Sequence, residues 1–199
     1  MTELVLASRS AARIAMLEAA GVPFTAMAAD VDEEGMKDAL LADGRSGRDI
    51  ADALAELKAV KLSRRFPQAL VLGCDSTVVA EDGALVSKAG TLEEAREQLR
   101  ALRGTTHRLH SAVVAAEGGR PVWRQVDTAR RTMRAFSDEF LERYLAAEWP
   151  AIGGCVGGYR LEGLGVQLFE RIEGSHFTIL GLPLLPLLAW LRERGVVAR

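Results

Sequence analysis

The sequence predicts an α/β or α+β fold with a mixed sheet, because apolar runs of strand length alternate with stretches of helical pattern. The first such pair is the apolar run at residues 4–6 and a helix that Ser10 can cap and that runs through Ala20, with Gly21 and Pro23 as stop signals. A later apolar run at residues 69–73 suits a buried strand, and residues 77–80 continue it.

Two later helices begin at residues that can cap them. Ser46, with Asp49 three places on, resembles a capping box and predicts a helix to about Arg65. Thr91, with a glutamate three places on, forms a clearer capping box for a helix to Leu102.

The second half of the chain is predicted to add strands, a helix and a glycine-rich segment. Residues 106–116 and 121–136 have strand-like patterns, and Ser137 opens a helix that stops at Trp149-Pro150. Six glycines then lie within residues 153–165. They are too many for regular structure throughout, so some of them permit positive φ or the close approach of a ligand.

Composition and charge narrow the classes of function. The 199 residues are 49% hydrophobic and 26% charged, as in an ordinary well-cored protein, and the formal net charge of -2 argues against a dedicated duplex-binding protein. Two cysteines and the lack of a charged leader before a long apolar core predict a cytoplasmic protein. The leucine-rich residues 179–191 are shorter than the roughly 20 apolar residues that a bilayer requires. We therefore expect a packed helix there and no membrane partner.

The turn at residues 7–13 (ASRSAAR) lies between the first predicted strand and helix and is a candidate anion site. The first N–H groups of a helix lack intrahelical acceptors, and the helix dipole adds partial positive charge there. The hydroxyls of Ser8 and Ser10 and the cation of Arg13 would suit a phosphate. We therefore expect a phosphorylated ligand at this turn.

Asp75 lies in the segment GCDST, where an apolar strand ends. A carboxylate is costly to bury unless it is paired or binds a metal, so Asp75 is either a satisfied structural group or a site residue. Lys58 and Lys61 lie on the preceding helix, and Lys88 lies across a predicted hairpin. Glu33 could supply a second oxygen ligand for a divalent ion. Taken singly, each of these neighbours is most simply a solvated charge.

Six ordered motifs run along the chain. They are ASRSAAR from Ala7, VDEE from Val31, ELKA from Glu56, GCDST from Gly73, SKAG from Ser87, and a late block made of VGGYRLEGLG from Val156 and FERIEGSHFTILGLP from Phe169. Together they resemble, over the full length, the motifs of the Maf family of nucleoside triphosphate pyrophosphatases. Maf proteins carry an opening pattern close to ASxSPRR, a VDE-like acidic segment, an EKA-like helical lysine, a GADT-like strand end, a GKP-like lysine and a late AGGYxIxGxG…ERIEGSxxxxxGLP block.

This resemblance implies hydrolysis of a nucleoside triphosphate to the monophosphate and pyrophosphate, with a divalent cation, Mg²⁺ or Mn²⁺, as cofactor. It also implies one domain over residues 1–199, with an elongated mixed β-sheet flanked by helices around a central cleft, as in inosine triphosphatase-like folds. Two lobes about that cleft are one arrangement of such a domain, and Maf proteins are often homodimers.

The family's site residues can be carried over by position. Asp75 matches the aspartate regarded as the general base, and Arg13 matches the second arginine of the opening motif. Lys58 and Lys88 match the lysines that bind phosphate, and Glu33 matches the acidic residue on the metal side. The cations would offset part of the about four negative charges of a triphosphate, while the carboxylate orients or deprotonates water. Whether Asp75 is the base, a metal ligand or both stays open.

Three positions depart from the branch that resembles a dTTP and UTP pyrophosphatase. Ala12 replaces its first arginine, Ser76 replaces its threonine and Glu162 replaces its glutamine. The branch that resembles the 7-methyl-GTP pyrophosphatase also has glutamate at the last of these positions, but it has glutamine at the position of Ser76. A carboxylate accepts from the N1–H and amine of guanine and cannot donate to a pyrimidine carbonyl. Glu162 therefore favours a guanine-type base, modified or not, with dTTP or UTP as the alternative.

A different class of function is a non-catalytic nucleotide sensor or cell-division regulator. The family has been linked to septum formation, and Ala12 removes one expected cation. Asp75 and Glu33 favour an enzyme, since a pure binder would gain little from carboxylates beside a polyphosphate. Nucleic-acid binding is disfavoured by the acidic balance of the chain.

Other reactive or charged residues have simpler structural interpretations. His107 and His110 fall on opposite faces of a predicted strand, so we interpret them as surface or edge histidines rather than ligands of one metal. Cys74 is interpreted as an inert strand residue, and the arginines of residues 124–134 as a solvated sheet face or dimer edge. His176, in the late motif, could line the cleft.

Overall fold

The structure is a computed structural model, and it describes residues 3–198. The strands are β1 (Leu4–Ala7), β2 (Thr25–Ala26), β3 (Leu70–Val79), β4 (Leu85–Val86), β5 (Thr106–Glu117), β6 (Arg120–Met133) and β7 (Phe169–Glu173). The α-helices are α1 (Ala11–Ala19), α2 (Glu33–Ala42), α3 (Gly47–Arg65), α4 (Leu92–Leu102), α5 (Asp138–Glu148), α6 (His176–Ile179) and α7 (Leu184–Glu193). Two 3₁₀ helices, Ala151–Gly154 and Leu164–Leu168, lie between α5 and β7 in the chain.

The sheet is mixed, as the sequence predicts. Within the described residues the strand order is β2-β1-β3-β5-β6-β7, and β4 pairs with β3. β1 is parallel to both β2 and β3, whereas β4 is antiparallel to β3 and β7 is antiparallel to β6. The chain passes through helices between the parallel strands, so the fold class is α/β.

The chain divides into two compact units. The first comprises the residues up to Ser76, the segment His110–Asp127 and the residues from Ser175 onward. The second comprises Thr77–Leu109 and Thr128–Gly174. The long strands β3, β5 and β6 each contribute residues to both units.

Each unit has an apolar core of its own. In the first unit, the largest cluster joins buried side chains of β1, β3 and α7, among them Leu6, Leu72 and Leu187. In the second unit, α4 and α5 pack through residues that include Leu99 and Leu145. α7 is therefore a packed helix, as the sequence predicts. Among residues 3–198, no helix combines the length and apolar character needed to span a membrane.

The predicted caps lie at the starts of the observed helices. The hydroxyls of Ser46, Thr91 and Ser137 each accept a hydrogen bond at 3.2 Å from the backbone N–H three residues on. Ser10 caps α1 in the same way at 3.5 Å. α2 lies outside the predicted helices, and Asp32 caps it by accepting from the backbone N–H of Gly35 at 2.9 Å. The β7 strand and the two 3₁₀ helices are likewise additions to the predicted elements.

α3 packs against β3 at backbone distance. A Cβ atom on Gly73 would lie 2.0 Å from the carbonyl oxygen of Ala55 and 2.5 Å from the backbone nitrogen of Ala59. Only glycine therefore fits at this point of the strand. Since Lys58 precedes Ala59 and Asp75 follows Gly73 by two residues, the same contact brings the lysine close to the carboxylate.

We expect Gly73→Ala to lower the free energy of unfolding by about 3 kcal/mol, because the added methyl group would overlap the backbone of α3. Urea unfolding followed by circular dichroism measures the loss. Gly154→Ala is the control: Gly154 is exposed, and a Cβ there would meet no heavy atom within 4 Å. A change within about 0.5 kcal/mol is expected for the control. Equal losses in the two variants would contradict the close approach of α3.

Candidate active site

Lys58 joins two carboxylates in the first unit. Its ammonium nitrogen lies 2.7 Å from Asp75 Oδ1 and 3.0 Å from Glu33 Oε1. The side chains of Lys58 and Asp75 are only 9% and 11% exposed, whereas that of Glu33 is 46% exposed. The carbonyl oxygen of Cys74 accepts a further hydrogen bond from Lys58 at 3.5 Å. Three predicted site residues, from α2, α3 and β3, therefore meet around one ammonium group.

Asp75 experiences opposing electrostatic influences. Burial raises its pKa above the ordinary value of 3.8, and the charge of Glu33 acts in the same direction. The positive charges of Lys58 and Arg13 and the hydrogen bond from Lys58 lower the pKa, but the net direction is upward. A carboxylate whose pKa is raised toward the working pH is a stronger proton acceptor than an ordinary surface aspartate.

Arg13 extends from α1 and makes four contacts with uncharged acceptors. Its Nε donates to the carbonyl oxygen of Gly181 at 2.8 Å, and its Nη2 donates to Ser76 Oγ at 3.0 Å. Its Nη1 donates to Ser8 Oγ at 3.4 Å and to the carbonyl oxygen of Cys74 at 3.3 Å. No carboxylate is among the hydrogen-bond partners that the described residues give Arg13, so its positive charge stays available for an anion.

Ser8 and Ser10 form the turn between β1 and α1. The backbone N–H of Ser10 donates to Ser8 Oγ at 3.2 Å, and Ser10 Oγ caps α1. Ala12 brings a half-buried methyl group where the pyrimidine-directed branch has arginine. The turn therefore combines hydroxyl groups, a helix N-terminus and the Arg13 cation, as its sequence predicts. Its binding of a phosphate stays a prediction.

A residue with unusual backbone geometry precedes α2. Asp30 has a φ of 47°, which residues other than glycine rarely adopt. Its carbonyl oxygen accepts a hydrogen bond from Lys61, and its carboxylate pairs with Arg9 at 3.3 Å. Lys61 lies one turn after Lys58, so α3 holds both the turn before α2 and the first residue of that helix, Glu33. The only sequence signal for this role is the spacing of the two lysines.

Lys88 and Glu162 lie in the second unit, where both are exposed. Lys88 forms an isolated β-bridge with Val156, inside the glycine-rich segment. Burial raises the pKa of the Cys155 thiol and Glu162 raises it further, while Arg160 and Lys88 lower it. The charges of Lys88 and Glu162 therefore act on the same thiol, next to the late motif.

Glu33 and Asp75 are the two carboxylates of the candidate site that could serve as oxygen ligands of a divalent cation. Within residues 3–198, no group of three or more His, Cys, Asp or Glu side chains could hold a metal ion. Mg²⁺ commonly binds through one or two carboxylates together with substrate phosphates and water. The pair fits that mode, and the ammonium of Lys58 already lies where the two carboxylates attract a cation.

Two interpretations from the sequence are wrong. His107 is fully buried rather than at the surface, its Nε2 lies 2.6 Å from the hydroxyl of Tyr159, and burial lowers its pKa to about 4. Arg131 is also buried and donates to the same hydroxyl at 2.8 Å, so it is not part of a solvated face. Both errors have one cause: the segment that carries Tyr159 packs on this part of the sheet, and no local pattern indicates such packing.

The structure also shows the environment of three other residues that the sequence singled out, Cys74, Arg124 and His176. Cys74 is buried in the core, and burial raises its pKa to about 11, which agrees with an inert thiol. Arg124 is exposed and pairs with Asp52 at 2.6 Å and Glu56 at 2.5 Å, as in a solvated face. His176 is exposed at the start of α6.

Comparison with known proteins decides the family. The sequence model of the family described as "Maf-like protein" matches residues 3–194. The chain belongs to the Maf family. A protein from Caulobacter vibrioides named nucleoside triphosphate pyrophosphatase is 53% identical over 197 residues, which cover 99% of this chain and 98% of that protein. One of the same name from Sphingopyxis alaskensis is 50% identical over 193 residues, which cover 97% and 98%. Among solved structures, a HAM1 protein from Coxiella burnetii matches with a TM-score of 0.48 and 15% identity, over 68% of this chain and 75% of that one.

The stability of this Maf protein should depend on Lys58. We expect Lys58→Met to lower the free energy of unfolding by about 3 kcal/mol at pH 8, because it leaves the Asp75 carboxylate buried without its cation. Burial raises the pKa of Asp75, so the folded variant takes up a proton as the pH falls, and the loss should shrink at pH 5. Lys61→Met, which removes an exposed lysine of the same helix, is the control and should cost less than about 1 kcal/mol at both pH values. Urea titrations at the two pH values test this, and a loss that grows as the pH falls would contradict it.

Proposed function

We propose that this Maf protein hydrolyses a nucleoside triphosphate to the nucleoside monophosphate and pyrophosphate. The observation that carries the proposal is the buried Asp75 carboxylate, bonded to Lys58 at 2.7 Å in the unit that also contains the Arg13 turn. The names of the two relatives at 53% and 50% identity support the same activity.

Asp75 is proposed as the group that accepts a proton from the attacking water. Its Oδ1 accepts the hydrogen bond from Lys58, and Oδ2 is the oxygen proposed to take up the proton of the water. The water oxygen forms a bond to the α-phosphorus while the bond to the bridging oxygen breaks, and pyrophosphate leaves with the electron pair of that bond. The raised pKa of Asp75 favours the proton transfer.

Cationic and N–H groups are proposed to bind the phosphates. Arg13, with Ser8 and Ser10 beside the N-terminus of α1, offers a positive charge, hydroxyls and backbone N–H groups to phosphate oxygens. Lys88 in the second unit is proposed as a further phosphate-binding cation. Glu33 and Asp75 would hold Mg²⁺ or Mn²⁺, which when bound supplies positive charge to the phosphates and lowers the pKa of a coordinated water.

A guanine-type base, such as 7-methylguanine or guanine, is the proposed specificity. Glu162 is exposed in the second unit and can accept hydrogen bonds but cannot donate them when ionised. The N1–H and exocyclic amine of guanine provide the two donors that such a carboxylate requires. Thymine and uracil present carbonyl oxygens at the matching edge and are disfavoured for the same reason.

Replacement of Asp75 tests the proposed activity. We expect Asp75→Asn to lower kcat for pyrophosphate release in the presence of Mg²⁺ by about a thousandfold, because an amide cannot take up the proton of the water. Release of pyrophosphate from a panel of nucleoside triphosphates measures the effect, and EDTA should abolish the wild-type rate. Asp43→Asn, an exposed position at the end of α2, is the control and should leave the rate unchanged. Equally slow release by wild type and Asp75→Asn, with nucleotide still bound, would favour a non-catalytic sensor.

The base preference is tested by Glu162→Gln. Glutamine offers both a donor and an acceptor, so we expect the ratio of kcat/KM for 7-methyl-GTP or GTP to kcat/KM for dTTP or UTP to fall at least about tenfold. The exposed Glu139→Gln on α5 serves as the control and should leave the ratio unchanged. A wild-type protein that turns over dTTP and UTP far better than every purine nucleotide would overturn the assignment.

A further inference from the structure

We propose that Ser111 is a positioning residue for Arg13, acting through the hydroxyl of Ser76. The inference rests on the proposed function to the extent that Arg13 binds the triphosphate. Ser111 lies on β5 in the first unit, is fully buried, and belongs to none of the motifs that indicated the family.

A chain of short hydrogen bonds links Arg13 to the interior of the first unit. Arg13 Nη2 lies 3.0 Å from Ser76 Oγ, which lies 3.1 Å from Ser111 Oγ. Ser111 Oγ donates to the carbonyl oxygen of Thr178 at 2.8 Å. The hydroxyl of Thr178 in turn donates to Asp127 Oδ2 at 2.6 Å. The chain thus connects α1, β3, β5, α6 and β6.

The number of hydroxyl protons determines which group donates in each hydrogen bond of this chain. A serine hydroxyl has one proton to donate. Ser111 gives its proton to the carbonyl oxygen of Thr178, so in the contact between the two serines Ser76 must be the donor. Ser76 Oγ then accepts from the guanidinium of Arg13. The O–H bonds of both serines therefore point away from the Arg13 cation. Because all the donors face the same way, each hydrogen bond polarises the next one.

This direction changes the role expected of Ser76. Its single proton is committed to Ser111, so Ser76 has no proton to offer a substrate base while the chain is intact. The position that differs between the branches of the family is therefore occupied here by an acceptor for Arg13. Ser76 orients the cation and does not itself donate to the base.

Ser111 also holds the second partner of Arg13. The Nε of Arg13 donates to the carbonyl oxygen of Gly181, three residues after Thr178. Gly181 has a φ of 99°, and a Cβ there would lie 3.4 Å from both Arg13 Nε and Ser76 Oγ. Thr178 is fully buried, and its bonds to Ser111 and Asp127 fix the segment that presents this carbonyl group. Ser111 therefore restrains Arg13 from two sides.

The restraint leaves a defined binding capacity. An arginine side chain has five N–H groups, and the contacts to Gly181, Ser8, Cys74 and Ser76 engage four of them among the described residues. One Nη2 N–H group and the positive charge of the guanidinium are therefore left for a phosphate oxygen. A cation aligned before the substrate arrives loses little entropy on binding, which is how a buried residue without substrate contact can affect the rate.

Two variants of buried serines separate positioning from stability. Ser111→Ala removes the acceptor of Ser76 and the donor to Thr178. Ser63→Ala is the matched control, because Ser63 is equally buried in the same unit, donates to the carbonyl oxygen of Val60 at 3.1 Å and accepts from the backbone N–H of Gly119 at 3.0 Å. We expect similar shifts of the urea midpoint in the two variants. Only Ser111→Ala should lower kcat/KM for the preferred triphosphate, by about ten- to a hundredfold.

The rate at which the guanidinium N–H of Arg13 exchanges with solvent can be measured without any catalysis. The Nε–H of Arg13 gives a signal in proton–nitrogen NMR spectra, which is assigned by its loss in Arg13→Lys. We expect this proton to exchange with solvent at least about tenfold faster in Ser111→Ala than in wild type or Ser63→Ala. If Ser111→Ala does not fold, Ser111→Cys, with its weaker hydrogen bonds, should give an intermediate exchange rate. Unchanged exchange in the Ser111 variants, or equal changes in Ser63→Ala, would overturn the inference. Faster exchange in a protein that releases no pyrophosphate would support the positioning of Arg13 and count against the proposed function alone.

Discussion

The ion cluster of Lys58, Asp75 and Glu33 is the interaction on which the rest of the first unit's site depends. The carboxylate of Asp75 is buried and that of Glu33 is partly exposed, and the two would repel each other without the ammonium of Lys58, which forms an ion pair with each. Its position depends on backbone contact, because Gly73 lets β3 approach α3 closely enough for the lysine to reach Asp75. One glycine without a side chain therefore decides where three charged groups can meet.

Elements with local signals could be predicted from the sequence, and elements held by distant partners could not. α1, α3, α4 and α5 begin at Ser10, Ser46, Thr91 and Ser137, whose hydroxyls cap the helix in the same way in every case. β2 has only two residues, too few for a pattern, and β7 is a five-residue strand with three exposed residues, so it lacks the apolar run that marks a buried strand. The α2 helix begins within an acidic run, where the cap Asp32 is hidden among similar residues.

The same division applies to the candidate site. Asp75, Lys58, Glu33 and Arg13 could be named as candidates because each lies in a motif, and the structure brings these four together in the first unit, while their roles stay predictions. Local sequence does not indicate partners that only the fold brings together. One example is the carbonyl oxygen of Gly181, which accepts a hydrogen bond from Arg13, 168 positions away in the sequence. The burial of His107 could not be predicted for the same reason, because an alternating strand pattern does not indicate which segment packs over the strand.

Lys58 and Arg13 differ in what they can offer an anion. Lys58 forms ion pairs with two carboxylates, which balance its positive charge, whereas Arg13 donates only to hydroxyl and carbonyl oxygens among the described residues and has no carboxylate as a hydrogen-bond partner there. Two cations and two carboxylates give this set a formal charge of zero, which cannot offset the about four negative charges of a triphosphate. In the proposed function, Lys88 of the second unit and a divalent cation supply the further positive charge. If Glu33 and Asp75 held such an ion, as proposed, its charge would lie beside Lys58, so the same two carboxylates would have to balance both cations.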